Sequence, residues 1–581
     1  MKLNRPAERG QTWWKESVVY QIYPRSFNDS NGDGIGDIPG IIEKVDYLEE
    51  LGVDVVWLCP VYDSPNEDNG YDIRDFRSIM DEFGTMAHWE ELLEELHARD
   101  IRLIMDLVMN HTSNEHEWFQ RSRREEGEYA EYYYWRDGKP AGEVEYGATD
   151  GPAGEAPPNN WESIFGGPAW SYDERRGQWY LHLFHPGQPD LNWRNPAVRA
   201  AMKETITWWL EKDIDGFRVD AIDLLSKPEG LPDGDPSSDP TGVELYSHGP
   251  RLGEYLREVY EETFSNYDVM TVGEMGMATI EQTAEFVGED GAGLDMVFQF
   301  DHLSVDAGDS GPWALEEPSG WELCRLKEII TDKQQTVEWD ALFLGNHDLP
   351  RIVSRLGDDG EYREESAKLI ATFLLTMRGT PFIYQGEEIG MTNADFHSLD
   401  EMDDPQTLGK LEGLFESGAV DSFDDVREIV NHRSRDHART PMQWSDADNA
   451  AFTSGTPWMK LNENYEAVNV AASMNREDSV WHYYRQLIEL RNEEDLLVYG
   501  QYDLLSPDDD HIFAYRRTDG DEQLLVVLNW SGKTALFAAP EVHSFSTDEI
   551  ELLVGNYSEP PDDPRGRLFR PYEAAVYRLS D

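Results

Sequence analysis

The chain alternates helical and strand patterns through its first two thirds, and this alternation limits the possible fold more than any other feature. Apolar residues at helical spacing from Ile41 to Leu51 end at Gly52, and the continuous apolar run 53–58 follows. A glycine after the last apolar position is typical of a helix end, and an unbroken apolar run suits a strand covered on both faces. The same unit recurs before the runs 101–108 and 214–219. This repetition predicts a parallel α/β sheet.

Five further apolar runs bring the number of candidate strands to eight. The eight runs span residues 18–23, 53–58, 101–108, 214–219, 269–273, 296–300, 341–344 and 381–384. Eight such units predict a (β/α)8 TIM barrel with insertions, because the typical barrel needs only about 250 residues. A doubly wound open sheet is the alternative.

Two segments interrupt the alternation and a third follows it. The stretch 110–186 is rich in Gly, Pro, Tyr and Trp and is too long for an ordinary loop, which predicts an irregular domain inserted after the third strand. A second insertion spans 391–469, and from residue 497 short strands indicate a C-terminal antiparallel β-sandwich domain. The predicted divisions are 1–109 and 187–496 for the barrel, 110–186 for the inserted domain and 497–581 for the β domain.

The charge balance excludes two classes of partner. The 581 residues include 116 acidic and 49 basic ones, which gives a formal net charge of -67. Nucleic acids and anionic bilayers both require basic patches, so neither is an expected partner. The acids are spread along the chain and 13 of the 49 basic residues are lysine, a composition that indicates a halophilic protein. The alternative is an ordinary acidic protein.

The expected location is a high-salt cytoplasm. The amino-terminal segment lacks the apolar core of a signal peptide, and we find no uninterrupted apolar run of about 18 residues that would predict a membrane span.

Three carboxylates directly follow predicted strands. Asp220 comes after 214–219, Glu274 after 269–273, and Asp348 shortly after 341–344. Because the carboxyl ends of barrel strands converge on one pocket, we expect the three to meet there. Glycoside hydrolysis needs such carboxylates, one as nucleophile and one as acid. Arg218 lies two residues before Asp220, on the same strand face, where it would keep that carboxylate ionised.

The loop after the first strand has the oxygen spacing of a cation site. Side chains at positions 1, 3, 5 and 9 of the loop and a backbone carbonyl at position 7 match the first part of an EF-hand, and they belong to Asp29, Asn31, Asp33, Asp37 and Ile35. Gly40 occupies position 12, where an EF-hand has glutamate. The sequence therefore predicts a structural Ca²⁺ or Mg²⁺ outside a true EF-hand, the alternative being an acidic glycine-rich turn.

Seven short motifs in order resemble one family over nearly the whole chain. DLVMNHTS (106–113), GFRVDA (216–221), VGEM (272–275) and GNHD (345–348) are similar to the regions that define the α-amylase superfamily, glycoside hydrolase family 13. The opening VVYQIYPRSFNDSNGDGIGDIPGI, QPDLNW (188–193) and SRDHARTPMQW (434–444) resemble its α-glucosidase and oligo-1,6-glucosidase branch.

The resemblance implies a role for each site residue. Asp220 would be the nucleophile, Glu274 the acid and then the base, and Asp348 a carboxylate that binds sugar hydroxyls and distorts the ring. His111 and His347 would hydrogen-bond the same sugar and Tyr71 would stack on it. The resemblance also implies that Asp72 and Arg435 bind hydroxyls at the non-reducing end, that Phe184 and Gln188 line the pocket, and that no organic cofactor is needed. It leaves the role of Arg439 open.

A pocket closed at the non-reducing end predicts a retaining, exo-acting α-glucosidase that releases glucose. In this branch the residue after the nucleophile tends to be Val in enzymes that cut α-1,6 bonds and Thr or a smaller residue in those that prefer α-1,4; here it is Ala221, so we expect α-1,4. The expected partner is a small neutral α-glucoside, and the expected state is a monomer or weak oligomer.

Other functions stay open at this point. An oligo-1,6-glucosidase, a transglucosidase and an isomerase are alternatives on the same scaffold. A non-catalytic transporter-subunit homologue, a different class, would lack the three acids and carry a membrane helix.

Overall fold

A computed structural model of the protein describes residues 12–140, 151–288, 291–307, 313, 320–542, 545 and 549–580. The prediction drawn from the amino-terminal segment 1–11, and residues 141–150 of the predicted inserted domain, lie outside the described residues.

Eight parallel strands form the central sheet. In chain order they are β1 (Val19–Ile22), β2 (Val55–Leu58), β3 (Arg102–Val108), β4 (Gly216–Asp220), β5 (Met270–Glu274), β6 (Met296–Phe298), β7 (Ala341–Leu342) and β8 (Thr380–Tyr384). Nearly every residue in them is buried, as the unbroken apolar runs predict. Each strand falls within two residues of its predicted bounds.

The order of the strands closes the sheet almost completely. It runs β6-β5-β4-β3-β2-β1-β8-β7, and β1 pairs in parallel with β2 on one side and β8 on the other, so that Val19 lies opposite both Val55 and Phe382. An open doubly wound sheet would not join its first and last strands. The TIM-barrel prediction is therefore confirmed and the doubly wound alternative is wrong.

Amphipathic helices cover the outside of the barrel. Thr85 caps Met86–His97, which buries Trp89, Leu92 and Leu96 against the sheet. The other helices of this layer are Ile38–Ile42, Val45–Leu51, Pro196–Leu210, Leu252–Glu262, Ile280–Ala284, Leu323–Thr336, Ile352–Leu356, Arg363–Thr376 and Val480–Glu493. No helix in the described part of the chain is long and apolar enough to cross a membrane.

Both insertions follow barrel strands, the first after β3 and the second after β8. The first contains a three-stranded antiparallel sheet of Trp135–Arg136, Gln178–Leu181 and Trp170–Asp173. The second contains the helices Pro405–Glu416, Arg427–Arg433 and Asp436–Arg439.

The C-terminal unit is built on a five-stranded antiparallel sheet. Its strands are β9 (Gln501–Leu505), β10 (Ile512–Asp519), β11 (Glu522–Asn529), β12 (Ile550–Gly555) and β13 (Ala574–Leu579), in the order β9-β10-β11-β13-β12. Side chains alternate between faces: Phe513 and Tyr515 pack with the barrel core, whereas Ile512 and Ala514 pack beneath the short strand pair Ala535–Leu536 and Leu568–Phe569.

Candidate active site

A cavity of about 250 Å³ opens at the carboxyl ends of the barrel strands, and the three predicted carboxylates line it. Asp220 ends β4, Glu274 ends β5, and Asp348 lies in the loop after β7. The lining also includes Asp68, Tyr71, His111, Ile164, Phe165, Phe184, Ala221, Asp223, Leu224, Gly276, Met277, Phe300, Leu349, Gln406 and Arg435. The barrel topology has therefore brought together residues that lie far apart in the chain.

One guanidinium connects the acids at the floor of the cavity. Arg218 Nη1 donates to Asp220 Oδ1 at 2.7 Å, and its Nη2 lies 2.6 Å from Glu274 Oε2. Nη1 also contacts Asp106, which lies opposite Arg218 on β3. Trp57 Nε1 donates to the other oxygen of Asp106 at 2.7 Å. Sequence reasoning missed Asp106, although a charged residue in a fully buried strand is itself a signal of a buried partner.

A left-handed turn after β4 connects the nucleophile candidate to the acid candidate. Ala221 has φ 43° and ψ 43°. Its backbone N–H donates to Glu274 Oε2 at 3.1 Å. β4 itself can begin only with glycine, because a Cβ on Gly216 would lie 1.9 Å from the carbonyl oxygen of Met270 on β5.

The charged neighbours act differently on the two aspartates. Burial, with the nearby Glu274 and Asp106 carboxylates, raises the pKa of Asp220, and the Arg218 guanidinium opposes that shift. Burial also opposes ionisation of Asp348, but His347 and the arginines around it hold its pKa well below the ordinary value. Asp348 is therefore an anion at neutral pH.

Four of the predicted substrate-binding residues line the cavity, namely Tyr71, His111, Phe184 and Arg435. His347 lies behind Tyr71: the two rings stack at 5.2 Å, and Tyr71 Oη is 2.7 Å from His347 Nε2. Gln188 is also behind the wall, with its Nε2 3.1 Å from His111 Nε2. Burial lowers the pKa of His111 to about 4 and of His347 to about 3, so both rings are neutral at pH 7.

The structure does not bring Asp72 to the cavity, which corrects its sequence-based assignment. Asp72 is fully buried and accepts from Ser64 Oγ at 2.9 Å and from the N–H groups of Glu67 and Asp68 at 2.9 and 3.1 Å. It stabilises its own loop. Asp68, four residues earlier, lines the cavity instead and accepts from Gln188 Nε2 at 2.9 Å.

Two arginines from the second insertion form, with Asp348, a charged wall that we call the end wall; Arg435 lines the cavity, whereas Arg439 does not. Arg435 Nη1 and Arg439 Nη2 each donate to Asp348 Oδ1 at 2.9 Å, and Arg435 Nη2 lies 3.6 Å from Asp68 Oδ1. The same nitrogen donates to Asp404 Oδ1 at 2.5 Å. Arg439 thus joins the charged end wall. Sequence reasoning missed Asp404, because nothing local distinguishes it from the surrounding acids.

The predicted cation loop is folded by its own hydrogen bonds. Asp29 accepts from the N–H groups of Asn31 and Gly34 at 2.9 and 2.8 Å, and Asp33 accepts from Ile35 N at 2.9 Å. Burial and the nearby Asp29 carboxylate raise the pKa of Asp37. Within the described ranges, no three His, Cys, Asp or Glu side chains form a metal-binding group. A cation here would therefore also need the Asn31 amide and Ile35 carbonyl oxygens.

Comparison with known proteins gives consistent results along the chain. Residues 21–500 match the family described as "Alpha amylase, catalytic domain". Over 577 residues the chain is 51% identical to an oligo-1,6-glucosidase of Parageobacillus thermoglucosidasius, which covers 98% of this chain and 99% of that one. It is 45% identical over 575 residues to a trehalose-6-phosphate hydrolase of Bacillus subtilis, with 98% of each chain covered. The isomaltulose synthase structure from Erwinia rhapontici matches with a TM-score of 0.91 at 41% identity, covering 99% of this chain and 100% of that one.

Proposed function

We propose, since this chain belongs to the α-amylase family of glycoside hydrolases, that it is a retaining, exo-acting α-glucosidase that releases glucose from maltose and short α-1,4-linked glucosides. The observation that carries this proposal is the shared contact of Asp220 and Glu274 with Arg218. One guanidinium that contacts both carboxylates keeps them close, and retaining enzymes need a separation of about 5–5.5 Å.

In the proposed reaction Asp220 attacks the anomeric carbon while Glu274 donates its proton to the departing glycosidic oxygen. The C–O bond to the leaving sugar breaks as the bond to the Asp220 oxygen forms, which gives a covalent glycosyl ester. Glu274, now ionised, then takes a proton from water, and the water oxygen displaces Asp220. Arg218 favours the ionised nucleophile at the start and at the end of the cycle.

The end wall accounts for the proposed release of single glucose units. Asp348 and Arg435 present charged hydrogen-bonding groups to the cavity, with Asp68 beside them. Groups of this kind bind sugar hydroxyls strongly. A chain continuing past the terminal glucose would have to displace the Arg435 contacts with Asp348 and Asp404. Tyr71 supplies the ring against which a sugar face would pack.

The charge of the lining favours a neutral substrate. Five carboxylates line the described cavity wall, and Arg435, its basic side chain, is already paired with Asp348 and Asp404. A phosphorylated sugar would bring further negative charge to this wall without a free cation to meet it. We therefore expect the chain to act poorly on trehalose-6-phosphate, the substrate in the name of one relative.

The linkage preference rests on the space beside the acid. Ala221 lines the cavity, and its backbone contacts Glu274, so its side chain borders the place where the leaving sugar would sit. The methyl group leaves room for a sugar joined through O4, an oxygen bonded directly to a ring carbon. The second candidate is α-1,6 hydrolysis, favoured by the oligo-1,6-glucosidase relative.

A product profile tests the proposal. Purified protein in molar KCl is given maltose, isomaltose, sucrose, trehalose, trehalose-6-phosphate and starch, and the anomeric form of released glucose is followed. We expect α-glucose, with maltose the best substrate. A strong preference for isomaltose would favour the second candidate, and isomaltulose from sucrose would indicate an isomerase. Asp220→Asn should abolish every activity, and residual turnover by this variant would contradict the assigned nucleophile.

We also propose that the loop 29–37 holds a structural Ca²⁺ or Mg²⁺. Its support is the spacing of the oxygen donors Asp29, Asn31 and Asp33, which hydrogen bonds from the N–H groups two residues further along hold in one short turn. Oxygen donors suit both ions. None of the predicted ligands lines the cavity, so the cation would act on stability.

A further inference from the structure

The second insertion contains a buried carboxylate that touches both arginines of the end wall. Asp404 is fully buried and does not line the cavity. Its Oδ1 accepts from Arg435 Nε at 2.8 Å and Nη2 at 2.5 Å, and Arg439 Nη1 lies 3.5 Å from the same oxygen. Both arginines donate to Asp348 through their remaining nitrogens. The two arginines thus bridge Asp404 and Asp348.

Asp404 is itself fixed by the helix that it begins. It caps Pro405–Glu416 by accepting from Thr407 N at 3.0 Å and Thr407 Oγ1 at 2.5 Å through Oδ2. Its backbone N–H donates to Asp436 at 3.2 Å, which joins the helix to the segment carrying the arginines. Gln406, two residues along, lines the cavity. The helix start is therefore held in place relative to the substrate cavity.

We infer that Asp404 is a positioning residue that orients Arg435 and Arg439 so that they can hold Asp348 and bind the terminal glucose. This inference rests on the proposed α-glucosidase function. An unpaired guanidinium could rotate to follow either Asp68 or Asp348. Two hydrogen bonds from Arg435 to the buried Asp404 Oδ1 prevent this rotation before substrate binds. Preorganisation of this kind lowers the free-energy cost of binding.

The test compares Asp404→Asn with a matched buried acid. Asp306 is also buried between two arginines, accepting from Arg355 Nη2 at 2.7 Å and Arg433 Nη1 at 3.0 Å, but it does not line the cavity. Asp306→Asn removes an equivalent ion pair and should keep KM and the inhibition constant for glucose within about twofold of wild type. Asp404→Asn should lower kcat/KM about 100-fold, the size expected for misplacement of a binding group.

The division between KM and kcat separates positioning from a loss of folded protein. A smaller folded fraction lowers kcat per mole and leaves KM and the glucose inhibition constant unchanged, whereas misplaced arginines raise both constants. Thr407→Val leaves the Asp404 charge in place but removes one bond to it, and should raise the two constants about threefold. Thr407→Val therefore tests the positioning role even if Asp404→Asn does not fold.

The outcomes separate this inference from the proposed function. A wild-type protein that hydrolyses none of the six substrates overturns both. An active wild type in which Asp404→Asn or Thr407→Val changes KM and glucose inhibition no more than Asp306→Asn overturns the positioning role alone.

Discussion

At the residue scale, the site is defined by an excess of buried negative charge. Three carboxylates, those of Asp106, Asp220 and Glu274, contact the single guanidinium of Arg218. Burial raises the pKa of Asp106 to about 6 and also raises that of Asp220. Asp106 therefore opposes ionisation of the Asp220 nucleophile, whereas Arg218 favours it.

Asp106→Asn tests this account. The substitution removes one anion from the cluster, so Arg218 acts more strongly on the acids that remain and the pKa of Asp220 falls. The Asp220 nucleophile is then ionised down to lower pH. We expect the acidic limb of the pH profile of kcat/KM to move about one unit towards acid, with about tenfold more activity below it relative to the plateau.

The control for this substitution is Asp295→Asn. Burial raises the pKa of Asp295 to about 6, as it does for Asp106. Asp295 accepts a hydrogen bond from Thr271 N at 2.7 Å. It immediately precedes β6 and therefore lies at the opposite end of the barrel from the cavity. Its loss should lower stability and leave the pH profile in place. An unmoved acidic limb in Asp106→Asn would contradict the effect of Asp106 on the nucleophile.

The assignment of Asp72 shows what residue-level prediction can miss. The sequence analysis assigned Asp72 to the end wall, but several acids lie within a few positions of Tyr71. The loop conformation decides which acid points into the cavity. Asp72 accepts hydrogen bonds from N–H groups of its own loop, and Asp68 lies near Arg435. Loop conformation arises from contacts that no local pattern encodes.

At the element scale, the sequence predicted the bounds of the barrel strands but not the positions of the helices in the second insertion. Buried strands carry their signal locally, as unbroken apolar runs bounded by turns. The position of Asp404 instead depends on contacts with Arg435 and Asp436, more than 30 residues away in the chain. Its role therefore required the structure.

The turn after β4 makes a prediction about linkage. Ala221→Val adds two methyl groups at a residue with φ 43°, next to Glu274. They would crowd a leaving sugar joined through O4, whereas the extra rotatable bond of an α-1,6 linkage lets the leaving sugar move away. We expect the isomaltose to maltose ratio of kcat/KM to rise about tenfold, within the range that such apolar contacts discriminate.

The same substitution should destabilise the protein. A β-branched residue in the left-handed region costs about 1–2 kcal/mol. Ala221→Gly is the control, because glycine adopts this left-handed conformation without strain. We expect it to have a higher melting temperature than Ala221→Val. Its isomaltose to maltose ratio of kcat/KM should stay close to that of wild type. A ratio unchanged by Ala221→Val would show that this turn does not set the linkage.

The loop 29–37 makes a prediction about metal removal. If about 100-fold more free Ca²⁺ than its Kd is present, binding adds about 3 kcal/mol to the free energy of unfolding. We expect EDTA to lower the melting temperature and Ca²⁺ or Mg²⁺ to restore it, measured by calorimetry at constant KCl concentration.

Two variants identify the site of such an effect. Asp33→Ala removes an exposed loop ligand and should melt like the chelated wild type, with no response to EDTA. Asp75→Ala removes an exposed acid outside the loop. Asp75 accepts from Arg77 N at 2.9 Å, as Asp33 accepts from Ile35 N. This variant should respond to EDTA like wild type. An equal response in all three proteins would place the cation elsewhere.

At the scale of the whole molecule, the charge of -67 has different consequences inside and outside. The ion pairs of the site are buried: Arg218 is 1% exposed as a side chain and Asp404 is fully buried. Salt screens buried pairs far less than exposed charges. Salt can therefore reduce the repulsion between surface acids without weakening the buried ion pairs on which the proposed chemistry depends.

We propose that the protein is halophilic and works in a high-salt cytoplasm, and the dependence of stability on salt tests the first part. The screening length falls from about 10 Å at 0.1 M salt to about 3 Å at 1 M, so repulsion between acids on the surface is largely removed over that range. We expect the melting temperature and maltase activity to rise steeply up to about 1 M KCl and then more slowly. NaCl should act similarly, whereas sorbitol, which leaves charges unscreened, should not reproduce the steep part. Melting temperature and activity that stay constant between 0.1 M and 3 M KCl would show that the acidic surface is no salt adaptation, because unscreened repulsion of this size could not leave stability unchanged.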